Sequence, residues 1–251
     1  MLDKNLLLVD IGGTNIRYAY SNIGDCSFVS ENKAELESLN DFDNLISELL
    51  ANSVVKNIVF SVAGPRVNNS IKMTNRNFQI DADAIRKRFN LESCHLLNDW
   101  ESIGYSIKTF SENDFEDFKE GIPFNDNFLV IGPGTGLGAS VIFGNNVVAT
   151  EIGNTNLGLS ALKSLLRINS DGFNVLEHVI SGTGISKIFE SKTGKKAKSE
   201  EIFSLSLEGD RDAKEVIDMF TIAFARTLSD LSLTFSTVSY THLRAHETDY
   251  Y

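Results

Sequence analysis

Residues 5–10 read NLLLVD, a continuous apolar run closed by an aspartate; Gly12, Gly13, Thr14 and Asn15 follow, and then IRYAYS alternates apolar with polar positions. Two such runs joined by a glycine turn predict a pair of strands. A third strand is expected around residues 26–30. Residues 41–52 place Phe42, Leu45, Ile46, Leu49 and Leu50 at helical spacing behind Asn40 or Asp41 as a cap. Residues 56–63 then read as a buried strand, so the order is strand, strand, strand, helix, strand.

The pattern starts again near residue 127. FLVIG is an apolar run, Pro133, Gly134, Thr135 and Gly136 make a second glycine turn, and LGASVIFG and VVATEI flank an Asn145-Asn146 turn. Gly13-Thr14 and Gly134-Thr135 thus occupy equivalent places in two similar hairpins, which reads as an internal duplication. Short helices are expected over 81–89 and 100–107. Residues 213–233 carry Val216, Ile217, Phe220, Phe224, Leu228 and Leu231 on one face and predict a long amphipathic helix. Residues 192–201 read as a polar surface loop running into a helix.

Composition narrows the class. The 251 residues are 42% apolar and 23% charged, an ordinary balance for a globular protein. No apolar run approaches the roughly 20 residues of a membrane span. The N-terminal residues lack a secretory pattern, which reads as cytoplasmic, and two cysteines are too few for a disulfide framework. The net charge of −11 repels polyanions and argues against nucleic acid as a partner. A phosphate must therefore be bound by local geometry.

The glycine turns offer that geometry, because close-approaching backbone N–H groups can wrap a phosphate chain. Asp10 ends a strand beside the first turn, where a carboxylate can hold Mg²⁺ through water; a tight hairpin with a capping aspartate is the plainer reading of the same residues. The second turn fits a relaxed dinucleotide fingerprint, but ASVIF after it is β-branched and predicts a strand where that fingerprint needs a helix. Asn98-Asp99 follows the apolar run CHLL at an expected strand end, where a carboxylate could take a proton from a hydroxyl nucleophile or could simply cap the helix beginning at Trp100.

Taken together, LLLVDIGGTNIR at 6–17, VAGP at 62–65, MTNRNFQID at 73–81, LLNDWESIGY at 96–105, GPGTGLG at 132–138, Glu151 and LEHVISGTGISKIFE at 176–190 resemble the bacterial glucokinase family of the actin-like sugar-kinase superfamily. The resemblance spans residues 6–235. It implies an α/β protein of two actin-like (ribonuclease H-like) domains with ATP and sugar in the cleft between them. Position by position, it implies ATP binding by Asp10, Gly12, Gly13, Thr14, Asn15, Gly134, Thr135 and Gly136. Sugar binding falls to Asn75, Asn98, Asp99, Glu151, Asn154 and Glu177, with Asp99 as catalytic base and Mg²⁺ as cofactor. The implied reaction is phosphorylation of glucose to glucose 6-phosphate; the alternatives are a non-catalytic sugar-binding regulator of the same fold and a nicotinamide dinucleotide-binding enzyme. A strand starting near residue 6 and an acidic charge weigh against a DNA-binding regulator. The oligomeric state stays open, a homodimer among the options.

The chain departs from the family in three places. Ile152-Gly153-Asn154 stands where Gly-Gly-His usually follows the glutamate, which puts the sugar's identity in question, and Phe78 replaces a frequent Trp. After residue 235 the polar VSYTHLRAHETDYY lacks an apolar period and reads as a non-native tail. The expected organisation is an N-terminal domain over 1–108, a second, incomplete domain over 109–236, and a tail over 237–251.

Overall fold

The computed structural model describes residues 3–12, 15–35, 39–51, 53–73, 79–111, 114, 125–168, 172–237 and 239–242. The chain divides into two units, Met1–Phe115 and Glu116–Tyr251.

In the first unit, β1 (Leu6–Ile11), β2 (Asn15–Ser21) and β3 (Val29–Glu35) form an antiparallel meander, α1 (Leu39–Ala51) crosses over, and β4 (Asn57–Val62) lies parallel to β1. A small antiparallel sheet of β5 (Arg66–Val67), β6 (Ser70–Lys72) and β7 (Gln79–Asp81) leads into α2 (Ala82–Arg88), whose first turn Asp81 caps by accepting from Ala84 N at 2.9 Å. The strand β8 (Ser93–Asn98) then pairs parallel to β4 and passes directly into α3 (Asp99–Ser106). The main sheet has the order β3-β2-β1-β4-β8.

Alternation explains the core of this unit. Leu7, Val9 and Ile11 of β1, Ile58, Phe60 and Val62 of β4 and Leu96 of β8 are buried with Phe42 and Ile46 of α1. The rings of Phe42 and Phe60 meet at 5.8 Å between centroids. The register has a consequence for chemistry: Ile11 pairs with Val62, and Val62 pairs with Asn98. Three parallel strands therefore end level. Adjacent strands lie about 4.8 Å apart, so the chain leaves the sheet at Gly12, at Ala63 and at Asp99 along one edge roughly 10 Å wide.

In the second unit, β9 (Asn127–Pro133), β10 (Leu137–Phe143) and β11 (Asn146–Thr150) repeat the meander. Four helices follow, α4 (Leu159–Leu166), α5 (Gly182–Thr193), α6 (Ser199–Glu208) and α7 (Arg211–Phe235), and β12 (Ser239–His242) returns parallel to β9. The order β11-β10-β9-β12 matches β3-β2-β1-β4 strand for strand. The helices pack Leu162, Ile185, Ile188, Phe189, Val216 and Leu231 onto Leu129, Ile131, Leu137, Ala139 and Val141 of the sheet.

Two elements differ from the sequence reading. β3 lies later than residues 26–30 because it is an exposed edge strand held by its main-chain ladder to β2, so no apolar pattern marks it. Residues 239–242, set aside as tail, fill the slot beside β9; strand pairing draws on main-chain donors and acceptors that any residue but proline carries. Asn125 Nδ2 donates to Ser236 O at 2.8 Å and ties the end of α7 beside the start of β9.

The thiols report this packing. Cys94 lies in the core, and burial pushes its pKa up to about 12, whereas Cys26 is exposed. A disulfide reagent at pH 8 should titrate one thiol of the native protein quickly and the second only as the protein unfolds; two fast thiols would show that β8 does not seal the first core.

Candidate active site

The sequence-predicted residues fall into two sets, one in each unit. Gly13, Thr14 and Asn75 lie outside the described residues. In the first unit, Asp10 is exposed at the end of β1, in register with Arg17 of β2 and Ser61 of β4. Gly12 N donates to Asn15 O at 3.0 Å and draws the ends of the first turn together.

Across the same edge, Asn98 is 4% exposed and its amide is engaged on two sides. Its Oδ1 accepts from Trp100 N at 2.9 Å and Glu101 N at 3.3 Å, while its Nδ2 donates to Gly64 O at 2.9 Å. Glu101 reciprocates, its Oε2 accepting from Asn98 N at 3.3 Å, which completes a capping box on α3. The cap is therefore Asn98, and Asp99 is the first helical residue. Asp99 is part-exposed, and its Oδ1 accepts from Trp100 N at 3.0 Å. Gly64 has φ +134°, and an added Cβ would lie 3.0 Å from Lys72 O, so the loop that receives Asn98 needs glycine there.

In the second unit the residues are brought together by close backbone approach. Gly134 N donates to Gly136 O at 2.9 Å, closing the second turn. Gly182 N donates to Gly134 O at 2.8 Å, and Thr183 Oγ1 donates to Thr135 O at 3.0 Å, so the first turn of α5 grips the loop from behind. The buried Ser181 caps that helix by accepting from Gly184 N at 2.9 Å. Thr135 N and Gly136 N have no protein partner among the described residues, the condition a phosphate-binding turn requires.

Glu177 accepts from Leu137 N at 3.3 Å through Oε2, the atom that would stand 2.6 Å from a Cβ on Gly136. Glu151 and Asn154 are exposed neighbours, joined by Asn154 Nδ2 donating to Glu151 Oε2 at 3.1 Å. Gly153 between them presses on the hairpin, since a Cβ there would come within 2.3 Å of Leu137 O. Leu176 N donates to Thr155 O at 2.7 Å, binding the Glu177 segment to the same turn.

The second set thus joins a glycine turn with open N–H groups to a carboxylate–amide pair that can both accept from and donate to neighbouring hydroxyls. The first set supplies a part-exposed carboxylate at a strand end. Sequence reasoning missed the supports Gly64, Arg66, Glu101, Gly153, Ser181 and Thr183. Of these, Glu101 carried a signal, three places after Asn98 in the N-x-x-E spacing of a capping box.

Comparison with known proteins finds similar chains and similar folds. A glucokinase family model covers residues 7–240. The glucokinase of Pseudomonas paraeruginosa is 26% identical, over 91% of this chain and 73% of its own length. That of Neisseria meningitidis is 28% identical, over 91% and 75%. The glucokinase structure from an Antarctic psychrotroph superposes with a TM-score of 0.77 at 22% identity, covering 98% of this chain and 84% of its own. The ROK family glucokinase of Streptomyces griseus, solved with glucose and AMPPNP, gives 0.65 at 18% identity, covering 95% and 82%.

The tight contact at Gly153 sets an expectation. Gly153→Ala must push the 152–154 turn off Leu137 O, and overpacking of this kind costs about 1–3 kcal/mol. Chemical denaturation should show a loss of that size, and an unchanged midpoint would refute the contact.

Proposed function

This chain belongs to the glucokinase family, phosphotransferases that act on a sugar hydroxyl at the expense of ATP, and from that premise we propose that it converts glucose to glucose 6-phosphate with Asp99 as general base. The observation that carries the assignment of the base is the position of Asp99. It is a part-exposed carboxylate on the first residue after β8, at the edge where three parallel strands end level. The Asp99 carboxylate takes the proton of the glucose 6-hydroxyl, the oxygen forms its bond to the γ-phosphorus, and the bond from that phosphorus to the β,γ-bridging oxygen breaks, releasing ADP.

Other residues divide the binding. Thr135 N and Gly136 N hold phosphate oxygens of ATP, and the glycine-rich segment that begins at Gly12 is a second ATP-binding element. Glu151 and Asn154 hold sugar hydroxyls as a joined acceptor and donor, with the amide of Asn154 in the place of the family's imidazole. Asn98 is spent on α3 and Gly64 and acts by holding those elements in shape, while Glu177 gives one oxygen to Leu137 N and keeps acceptor capacity for a sugar hydroxyl. We place the reaction in the cytoplasm, where ATP is at hand and thiols stay reduced.

Mg²⁺ fits the residues present. Among the described residues no three His, Cys, Asp or Glu side chains converge, and this ion needs only one or two carboxylates when phosphates and water complete its shell. The exposed Asp10 would hold it through water, and when bound it would neutralise charge on the phosphates.

Asp99→Asn keeps the shape of the side chain and removes the proton acceptor. Turnover in a coupled glucose 6-phosphate assay should fall by about 10²- to 10⁴-fold. Glucose should still bind, read by the emission of Trp100, the single tryptophan of the chain. Turnover equal to that of the parent would rule out the base.

A further inference from the structure

We infer that Glu101, clamped by Arg66, is a positioning residue for the phosphoryl transfer: together they fix the first turn of α3 and with it the Asp99 carboxylate. The inference rests on Asp99 as the base. Glu101 is 4% exposed, and carboxylates are seldom buried to this degree unless they are paired. It has two partners on its two oxygens. Oε1 faces Arg66 Nη2 at 3.0 Å, and Oε2 accepts from Asn98 N at 3.3 Å.

The arrangement exceeds what a helix cap requires. A capping box needs one acceptor on the third residue, which Gln supplies as well as Glu, and it needs neither a buried charge nor an arginine. The Arg66 side chain is 40% exposed, so screening leaves the ion pair little to contribute to stability. Its effect is geometric. Arg66 begins β5, directly after the glycine loop that leaves β4, and Asn98 Nδ2 reaches the same loop at Gly64 O, 2.9 Å away. The residue before Asp99 and the residue two after it are thus both bound to one short stretch, at Gly64 and at Arg66. Asp99 sits inside a bracket. A base held this way loses little orientation entropy when the hydroxyl arrives, and small misplacement of a reacting group is costly in rate.

Glu101→Gln separates the two roles, since it keeps an acceptor for Asn98 N and removes the charge that Arg66 holds. Steady-state kinetics with glucose and ATP should be run on the parent, Glu101→Gln, Arg66→Met, the pair together, Arg66→Lys and Asp99→Asn, each with its thermal midpoint. The expected result is a fall in kcat of about tenfold in Glu101→Gln and in Arg66→Met, with KM for ATP unchanged. The double variant should be no slower than the slower single one, because both break the same bracket, and Arg66→Lys should recover part of the loss. A merely structural role would lower the thermal midpoint and leave kcat in place. If Asp99→Asn abolishes turnover while Glu101→Gln keeps the parent's kcat, the base stands and this inference is overturned alone. If Asp99→Asn turns over normally, the base falls and the inference with it.

Discussion

Register holds the first unit's chemistry in place. Because Ile11, Val62 and Asn98 lie in one row across β1, β4 and β8, the chain leaves the sheet at a single edge three times. Parallel strands expose their carboxyl ends to ligands in this way, and a slip of one residue would turn every side chain of a strand to the opposite face. The buried alternation of Leu7, Val9 and Ile11 against Ile58, Phe60 and Val62 prevents such a slip. The packing that stabilises the unit is thus also what puts Gly12, the Gly64 loop and Asp99 along one edge.

The second unit solves its own problem with glycine. Three separate segments, the turn at 134–136, the turn at 152–154 and the strand of chain around Glu177, converge on Leu137, and they do so at distances that leave no room for Cβ atoms at Gly136 and Gly153. Such closeness has an entropic cost in the unfolded chain. It is offset by hydrogen bonds that lock the turn to the start of α5 and by the apolar core below the sheet. The shared strand order of the two sheets shows one architectural plan used twice, with one α-helix in the first crossover and four in the second among the described residues.

Much of this was legible from the chain. The strands beside the two glycine segments, the long helix α7 and the strand after Gly136 could be read because each buries a face and writes a period into the sequence. That last strand also removes the dinucleotide reading, which needed a helix where Leu137–Phe143 is extended. The bounds of β3 and the whole of β12 could not be read, since an edge strand of SENKAE type and a four-residue strand of polar sequence leave no apolar trace. In the candidate site, the residue types were visible, but the contacts of Asn98 with Gly64 and of Glu177 with Leu137 were not. Whether a polar side chain faces a ligand or ties down its own backbone depends on contacts such as Asn98 with Gly64, 34 residues away, which spacing does not encode.

In the proposed reaction one carboxylate, Asp99, accepts the proton. The dependence of kcat/KM for glucose on pH addresses it directly, because a base must be ionised in the free enzyme to work. The parent should show an acid limb of unit slope that is absent from the residual activity of Asp99→Asn. The same acid limb in both proteins would place the essential base elsewhere and contradict the account.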